Sequence, residues 1–318
     1  MGPGASQPVF RASVELVQLD VSVTDRHGAV VPGLGASDFL LKQDGTSIPV
    51  RLATFVSGRA NQTRFVFFVD DYHLAFENFA RLREAVERFT AHGVPYGAEM
   101  LVMPASFVGE KAFTFTTNPV AVTMDVAALS WGNGSRRLSR RGAWGSCDNL
   151  TNDLRADIFT NGTMGTLTAL LNALQQIDGR KAVIVLTDGL VSGCRDEDDV
   201  PEHLRRITDI ANRGSSVLYG VDTRPFSGGS NLIDDDLHYL ADRTGGIAGR
   251  SNAIDVVLSR VAADQRGYYL LAYEPPASTF KKGRLQYRDV KVSVTTPDLQ
   301  VRSRAGFYGV PDAALARR

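Results

Sequence analysis

Two runs of consecutive apolar residues end in aspartate, and they constrain the fold more than any other feature of the sequence. Residues 65–69 (FVFFV) precede Asp70 and Asp71, and residues 182–187 (AVIVLT) precede Asp188. An uninterrupted apolar run of this length is typical of a strand covered on both faces, as in a parallel sheet. Segments with helical spacing of apolar residues alternate with such runs along the middle of the chain. This alternation predicts a Rossmann-like α/β fold with a doubly wound, mostly parallel sheet.

Further segments complete the alternation. Residues 76–89 carry apolar side chains at helical spacing, and Gly93 ends this predicted helix. The other helices are expected over 119–129, 164–177, 201–213, 235–243 and 253–263, and strands over 99–103, 113–115, 217–221 and 268–273. Helices between successive parallel strands cover both faces of the sheet.

Both ends of the sequence show a different pattern, the two-residue alternation of half-buried strands. Apolar and polar residues alternate over 17–24 and again over 290–294. A hairpin is expected from 39–41 and 48–55, joined by the Asp-Gly turn at 44–45. Each flank has only about 45 residues, which is thin for an independent core.

We therefore expect the two flanks to pair into one small β-sandwich, with the α/β domain inserted between them. Two separate β appendages are the alternative. The expected boundaries are a flexible leader at 1–9, a discontinuous β-sandwich at 10–61 plus 266–310, an α/β domain at 62–265, and a tail at 311–318.

The charge balance limits the range of partners. The chain of 318 residues carries 35 Lys and Arg against 35 Asp and Glu, so its formal net charge is +0. No global field draws it to nucleic acid or to an anionic membrane, and we expect no nucleic-acid partner. No stretch approaches the ~20 apolar residues of a transmembrane helix, and residues 1–9 lack the pattern of a signal peptide.

Oxygen-bearing residues follow the predicted strands where ligands bind in such sheets, beyond the carboxyl ends. The first loop holds Asp70, Asp71 and His73, the second holds Thr166 at the entry to a helix, and the third holds Asp188. Carboxylates and hydroxyls are the ligands of hard cations such as Mg²⁺. The three loops together predict a metal site, although each residue could instead cap a helix or a turn.

Motifs of common enzyme classes are missing from the sequence. It holds no Walker A motif and no Gly-x-Ser-x-Gly elbow, and its five histidines show no HExxH spacing. We therefore expect no catalytic residues and no enzymatic activity. An unrecognised hydrolase, for instance one built on Cys147 and His73, is the alternative.

Blocks spread over nearly the whole chain resemble one family. They are LDVSVTDRHGAVVPGLGASDFLLKQDG (19–45), VLYGVDTR (217–224), LADRTGG (240–246), YYLLAYEP (268–275) and VRSRAGFY (301–308). They are similar to the bacterial VWFA-related proteins first noted in acidobacteria, which are von Willebrand factor type A-like. The resemblance implies an α/β domain with a metal-ion-dependent adhesion site.

That adhesion site has the motif Asp-x-Ser-x-Ser, a Thr in a second loop and an Asp in a third. The resemblance implies Asp70, Thr166 and Asp188 as metal ligands, but Tyr72 and Leu74 stand at the two serine positions. Leu has no oxygen ligand, and the Tyr hydroxyl lies too far from its backbone.

Three interpretations of this degenerate site follow. The site is vestigial and binds no cofactor, or Asp71 or His73 substitutes as a ligand and favours Mn²⁺ or Zn²⁺, or Mg²⁺ is held weakly through waters. A divalent cation, Mg²⁺ or Mn²⁺, is thus the only cofactor that we consider.

The two cysteines lie near the same predicted edge. Cys194 is six positions after Asp188, and Cys147 lies in the long loop before the Thr166 helix. They are either two free thiols or one disulfide that braces the rim of the site, and the disulfide would require an oxidising compartment.

The resulting expectation is a non-enzymatic module for protein–protein interaction or adhesion in the bacterial cell envelope, either periplasmic or secreted. Its protein partner and its oligomeric state are unknown. One alternative is a metal-dependent enzyme that uses an altered site of Asp70, His73 and Asp188. The other is a structural scaffold that docks its partner through the β-sandwich.

Overall fold

The computed structural model of the protein describes residues 16–58, 63–107, 114–129, 154–190, 202–225, 235–250, 254–280 and 286–308. The strands are β1 (Val17–Thr24), β2 (Phe39–Gln43), β3 (Thr46–Ile48), β4 (Val50–Ser57), β5 (Arg64–Val69), β6 (Glu99–Pro104), β7 (Lys181–Thr187), β8 (Ser216–Asp222), β9 (Ala248–Arg250), β10 (Gly267–Tyr273), β11 (Tyr287–Val294), β12 (Gln300–Ser303) and β13 (Gly306–Tyr308). The helices are α1 (Phe76–His92), α2 (Pro119–Ala128), α3 (Leu154–Leu174), α4 (Glu202–Arg213), α5 (Asp235–Thr244) and α6 (Ile254–Asp264), and a short 3-10 helix spans Ala36–Asp38.

The centre of the molecule is a five-stranded parallel sheet in the order β6-β5-β7-β8-β9. Every side chain of β7 and β8 is buried, as the uninterrupted apolar runs predict. One face packs against α1, α2 and α6, and the other packs against α3, α4 and α5. The predicted α/β sheet with helices on both faces is therefore confirmed.

The strands from the two ends of the chain form two antiparallel sheets of four strands each. Their orders are β12-β1-β10-β4 and β13-β11-β2-β3. The inward side chains of both sheets share one hydrophobic cluster, in which the rings of Phe39 and Tyr269 lie 5.1 Å apart. Strands that are far apart in sequence thus bury a common core. No helix in the described ranges is long and apolar enough to cross a membrane.

The structure corrects the hairpin prediction. The strand expected over 48–55 is divided at Pro49, because β3 ends at Ile48 and pairs with β2, whereas β4 begins at Val50 and pairs with β10 in the other sheet. Proline has no backbone N–H and cannot donate to a sheet ladder, so the chain changes sheets there.

Three other boundaries differ from the prediction. Helix α3 begins at Leu154, well before the expected start at 164, so that Thr166 lies inside a helix and not in a loop. Of the expected edge strand at 113–115, residue 113 lies outside the described residues, 114 and 115 are not in a strand, and Thr116 forms an isolated bridge with Met100. Strand β9 was not predicted, because three residues are too few to show a period. Cys147, Cys194, the leader at 1–9 and the tail at 311–318 lie outside the described residues.

A buried polar network joins the parallel sheet to the antiparallel sheet that contains β1. The Arg180 guanidinium, just before β7, donates to Ser22 Oγ at 3.1 Å and to Asp264 Oδ2 at 3.3 Å. Asp264 also accepts hydrogen bonds from Tyr219 and from Arg302. Because Arg180 and Asp264 are both nearly inaccessible to water, each needs the other as a countercharge.

Arg180→Ala should lower the free energy of unfolding by about 3–5 kcal/mol, because it leaves a buried acid without one of its cations. The matched control is Arg213→Ala, which removes a partly exposed pair with Asp209 on α4. That change should cost at most about 1 kcal/mol. Urea unfolding measures both, and equal losses would show that the buried network does not hold the junction.

Lys181 makes stability depend on pH. Its side chain is buried and its ammonium donates to the Ile177 carbonyl at 2.6 Å, while burial and then the nearby Arg64 lower its pKa to about 8. Between that pKa and the unfolded value near 10.5, the unfolded chain binds more protons, so stability must rise with pH. Relative to Lys181→Met, the wild type should gain about 1 kcal/mol between pH 7 and pH 9 in urea unfolding. A difference that stays constant over this range would contradict the lowered pKa.

Candidate functional site

Asp70 is the centre of a buried cluster at the carboxyl edge of the parallel sheet. It follows β5 and is fully buried. Thr163 donates a hydrogen bond to Oδ1 at 2.9 Å, and Thr187 donates to Oδ2 at 2.7 Å. These bonds tie the end of β5 to α3 and to the end of β7.

His73 faces the same carboxylate. Its Nδ1 lies 2.9 Å from Oδ1 and 2.8 Å from Oδ2 of Asp70, and the imidazole is itself buried. Because a carboxylate only accepts hydrogen bonds, Nδ1 carries the proton of this contact. An imidazole N–H thus lies in front of both Asp70 oxygens.

Asp188, which follows β7, is hydrogen-bonded to the start of α1 and to the residue after β8. Oδ2 accepts hydrogen bonds from the Ala75 backbone N–H at 2.7 Å and from Asn78 Nδ2 at 2.9 Å, and Oδ1 accepts one from Thr223. Burial raises the pKa of the Asp188 carboxyl, and these hydrogen bonds oppose the rise. Ala75 is the N-cap residue of α1 and has no capping side chain, so Asp188 serves as the cap from another loop.

Asp71 lies beside this cluster, but its carboxylate contacts the loop after β6. Its carboxylate accepts hydrogen bonds from the backbone N–H of Ser106, at 2.9 Å, and from the Ser106 hydroxyl. Burial raises its pKa, and the Ser106 bonds oppose this rise. Asp71 therefore fastens the loop after β6 to the loop after β5.

Thr166, the residue that the family resemblance implies as a ligand, donates its hydroxyl hydrogen to the Ala105 carbonyl at 2.8 Å. Thr163, almost one helical turn earlier, supplies the hydroxyl that contacts Asp70. Residues three apart lie on neighbouring parts of a helix surface, and it is Thr163, not Thr166, that brings its hydroxyl to Asp70. Leu74, at one of the two serine positions, is buried in the hydrophobic core.

A fourth carboxylate, at the end of β8, was not predicted from the sequence. Asp222 ends β8, is fully buried, and accepts hydrogen bonds from Arg224 Nε at 2.9 Å and from Arg224 Nη2 at 2.7 Å. Arg250 Nε lies 3.7 Å from the same carboxylate. The available signal was the apolar run 217–221, which ends in aspartate like the other two.

These contacts do not fit a bound divalent cation. Both oxygens of Asp70, Asp71 and Asp188 accept hydrogen bonds from protein groups, and the second-serine position offers no oxygen. No group of three or more His, Cys, Asp or Glu side chains that could hold a metal ion occurs in the part of the chain that the structure describes. The carboxylates bind the loops to one another instead.

The fold and the site together define an α/β protein with hydrogen-bonded carboxylates at the carboxyl edge of its parallel sheet. No protein-family model and no curated protein matches the sequence.

Several solved structures are similar in fold at low identity. An aerotolerance-related membrane protein from Bacteroides fragilis has a TM-score of 0.40 at 8% identity, over 64% of this chain and 98% of that one. BatB from Bacteroides thetaiotaomicron has a TM-score of 0.36 at 14% identity, over 64% and 98%. The human COPII-coat protein Sec24c has a TM-score of 0.38 at 9% identity, over 80% and 44%. Structural similarity at this level gives no information about function.

Thermal unfolding tests whether the site takes a metal. We expect Mg²⁺, Mn²⁺, Ca²⁺ or Zn²⁺ added to the chelated protein to leave the Tm unchanged, because the carboxylate oxygens already accept hydrogen bonds. A cation present at 100 times its Kd would add about 2.7 kcal/mol, which is several degrees in a protein of this size. Asp188→Ala serves as the control for location. A rise in Tm that disappears in Asp188→Ala would establish a metal site here.

Proposed function

We propose that the protein is a von Willebrand factor type A-like module that binds a protein partner at the carboxyl edge of its parallel sheet without a bound metal. The blocks shared with the VWFA-related family support this proposal, and so does the parallel sheet. The proposal includes a β-sandwich formed from both flanks with the α/β domain inserted at 62–265, and a periplasmic or secreted location in a bacterium.

The observation that carries the proposal is the way in which buried carboxylates hold the rim of this edge. Asp188 fixes the Ala75 N–H and thereby the first turn of α1, while Asp70 fixes the loop that leads to it. Phe76, the first residue of α1, is 56% exposed. A large aromatic ring is therefore presented to solvent on a backbone that cannot move freely.

Such a residue suits a binding surface for a physical reason. Large aromatic residues are enriched among the residues that contribute most to protein–protein affinity. When the backbone is ordered before binding, less conformational entropy is lost on association. In an ordinary adhesion site the metal supplies this attachment point, whereas here an exposed ring beside a hydrogen-bonded carboxylate cluster can supply it.

Site-specific photo-crosslinking tests the proposal. A benzoylphenylalanine at position 76 should give an adduct with one protein in cells of the source bacterium, both with and without chelator. Tyr96 is the matched control, since it is an exposed aromatic residue that follows the other end of α1. The same label at position 96 should not give that adduct.

Asp188→Asn gives a second arm of this experiment. It keeps the size of the side chain but weakens the cap on Ala75, and the adduct from position 76 should fall severalfold. An adduct of equal yield from both positions would refute this surface. Loss of the adduct on chelation would favour a metal-dependent role, and a chelator-sensitive turnover would favour the alternative enzyme at Asp70, His73 and Asp188.

A further inference from the structure

Half of strand β1 has one unpaired edge in the described residues. On one side, β10 pairs with Val17–Val21. On the other side, β12 pairs only with Val21–Thr24. The chain leaves this sheet after Ser303, and β13 pairs with β11 in the other sheet. No described strand therefore lies beside 17–20 on the β12 side.

The backbone of Gln18 is directed toward this free edge. Arg304 Nη2 donates a hydrogen bond to the Gln18 carbonyl at 2.7 Å, and its Nη1 contacts the Asn212 carbonyl at 3.3 Å. Because successive strand residues direct their backbone groups to opposite neighbours, Gln18 and Asp20 share this direction, while Leu19 is directed toward β10. Because Arg304 already occupies the Gln18 carbonyl, the free edge offers the N–H of Gln18 and the backbone of Asp20.

A cavity of about 550 Å³ borders the edge. Its walls are the first residues of β1, the C-terminal end of α4 and the aromatic side chains of Phe280, Phe307 and Tyr308. Phe280 and Phe307 also pack against the core shared by the antiparallel sheets. Part of the cavity wall is therefore apolar, and its volume lies within the range of about 300–1,000 Å³ that is usual for binding sites.

Asp20 is an acidic group of this cavity whose side chain has no hydrogen bond in the described part of the chain. It lines the cavity, is only partly exposed, and burial raises its pKa. Arg180, Arg304 and Lys181 lie near enough to act on it electrostatically. Burial outweighs the attraction of these cations, so a hydrogen-bond donor stabilises the Asp20 carboxylate.

The charges that line the cavity also favour an uncharged ligand. They are Asp20, Asp209, Arg213 and Arg304, of which Asp209 and Arg213 form an ion pair. Two acids and two bases give no net attraction for a strongly charged ligand. An uncharged donor, such as a hydroxyl or a carboxamide, suits Asp20 better.

We propose that this edge and cavity form a β-strand addition site for an extended segment of a partner protein, in which apolar residues alternate with uncharged donors such as Thr, Ser, Asn or Gln. The Gln18 N–H and the backbone of Asp20 provide the pairing, and alternate side chains reach the apolar part of the wall and Asp20. The unpaired residues span about 13 Å, enough for four residues of added strand. This site rests on the proposed interaction role but uses a surface separate from Phe76.

Hydrogen exchange of the full chain tests the free edge first. The amides of Gln18 and Asp20 should exchange on the order of 100-fold faster than those of Leu19 and Val21, which are directed toward β10. Equal protection of all four amides would mean that the edge is covered, and it would overturn the proposal.

A selection of displayed random octapeptides against the same protein tests the ligand. We expect enriched peptides with alternating apolar and uncharged donor residues, and the best of them should protect the Gln18 and Asp20 amides from exchange. An enrichment of charged peptides without alternation would overturn the proposed ligand, and so would a failure to enrich any peptide.

Two variants at one exposed position separate edge pairing from other binding modes. Gln18→Pro removes the N–H from the free edge, which a strand tolerates when that group is not part of its ladder. Gln18→Thr keeps the N–H. The selected peptide should bind Gln18→Pro at least about tenfold more weakly and Gln18→Thr as wild type, which is the loss expected for one hydrogen bond.

The controls keep the two proposals distinguishable. Circular dichroism and Tm show whether Gln18→Pro is folded, and the exchange experiment on the wild type does not depend on that variant. Equal peptide binding by both variants would overturn the strand-addition site. Phe76→Ala should leave peptide binding unchanged, so the failure of one surface can be told from the failure of the other.

Discussion

The contact between Arg180 and Asp264 determines how the two parts of the molecule lie against each other. Arg180 stands at the start of the central strand β7, and its guanidinium reaches Ser22 of β1 as well as Asp264 of α6. A buried guanidinium and a buried carboxylate tolerate little displacement, because separation would leave each charge in a low-dielectric interior. The same guanidinium therefore holds Ser22 of β1 near the end of α6.

A second buried charge, the Asp70 carboxylate, lies beside the other end of β7. Asp70 is fully buried, and an isolated carboxylate in that position would be very costly. Thr163, Thr187 and His73 donate hydrogen bonds to this carboxylate and stabilise it without a metal ion. The cluster joins β5, β7 and α3 at the edge where sheets of this type bind ligands. In our proposal this edge has kept its place as a contact surface while the cation has been replaced by protein groups.

The two proposed surfaces differ in the structural feature that each offers to a partner. At the parallel sheet, the Asp188 carboxylate holds the start of α1 and Phe76 is exposed above it. At β1, the short strand β12 leaves a row of backbone groups unpaired beside an apolar wall. A rigid aromatic side chain favours affinity through burial, whereas a free strand edge recognises the backbone of its partner and reads alternate side chains. A module with both could hold one extended partner or two separate ones.

Local patterns in the sequence determined the parts of the structure that depend on neighbours in the chain. The apolar runs predicted β5 and β7, and the helix expected over 119–129 is α2, whose N-cap Asn118 accepts a hydrogen bond from the Val120 N–H. The aspartates at the strand ends predicted the edge at which the site lies. These signals succeed because burial on two faces and helix capping act over a few residues.

Only the tertiary structure decided which groups meet. The alternation of apolar and polar residues could not show that β1 pairs with β10, some 250 residues later. It also could not show that the chain leaves the hairpin at Pro49 and that β4 joins another sheet. Nor could it show that Thr163, and not Thr166, contacts Asp70, because the phase of α3 depends on where the helix begins and on how it packs. A contact between distant residues is chosen by the packing of the whole core, and a local pattern carries no information about its partner.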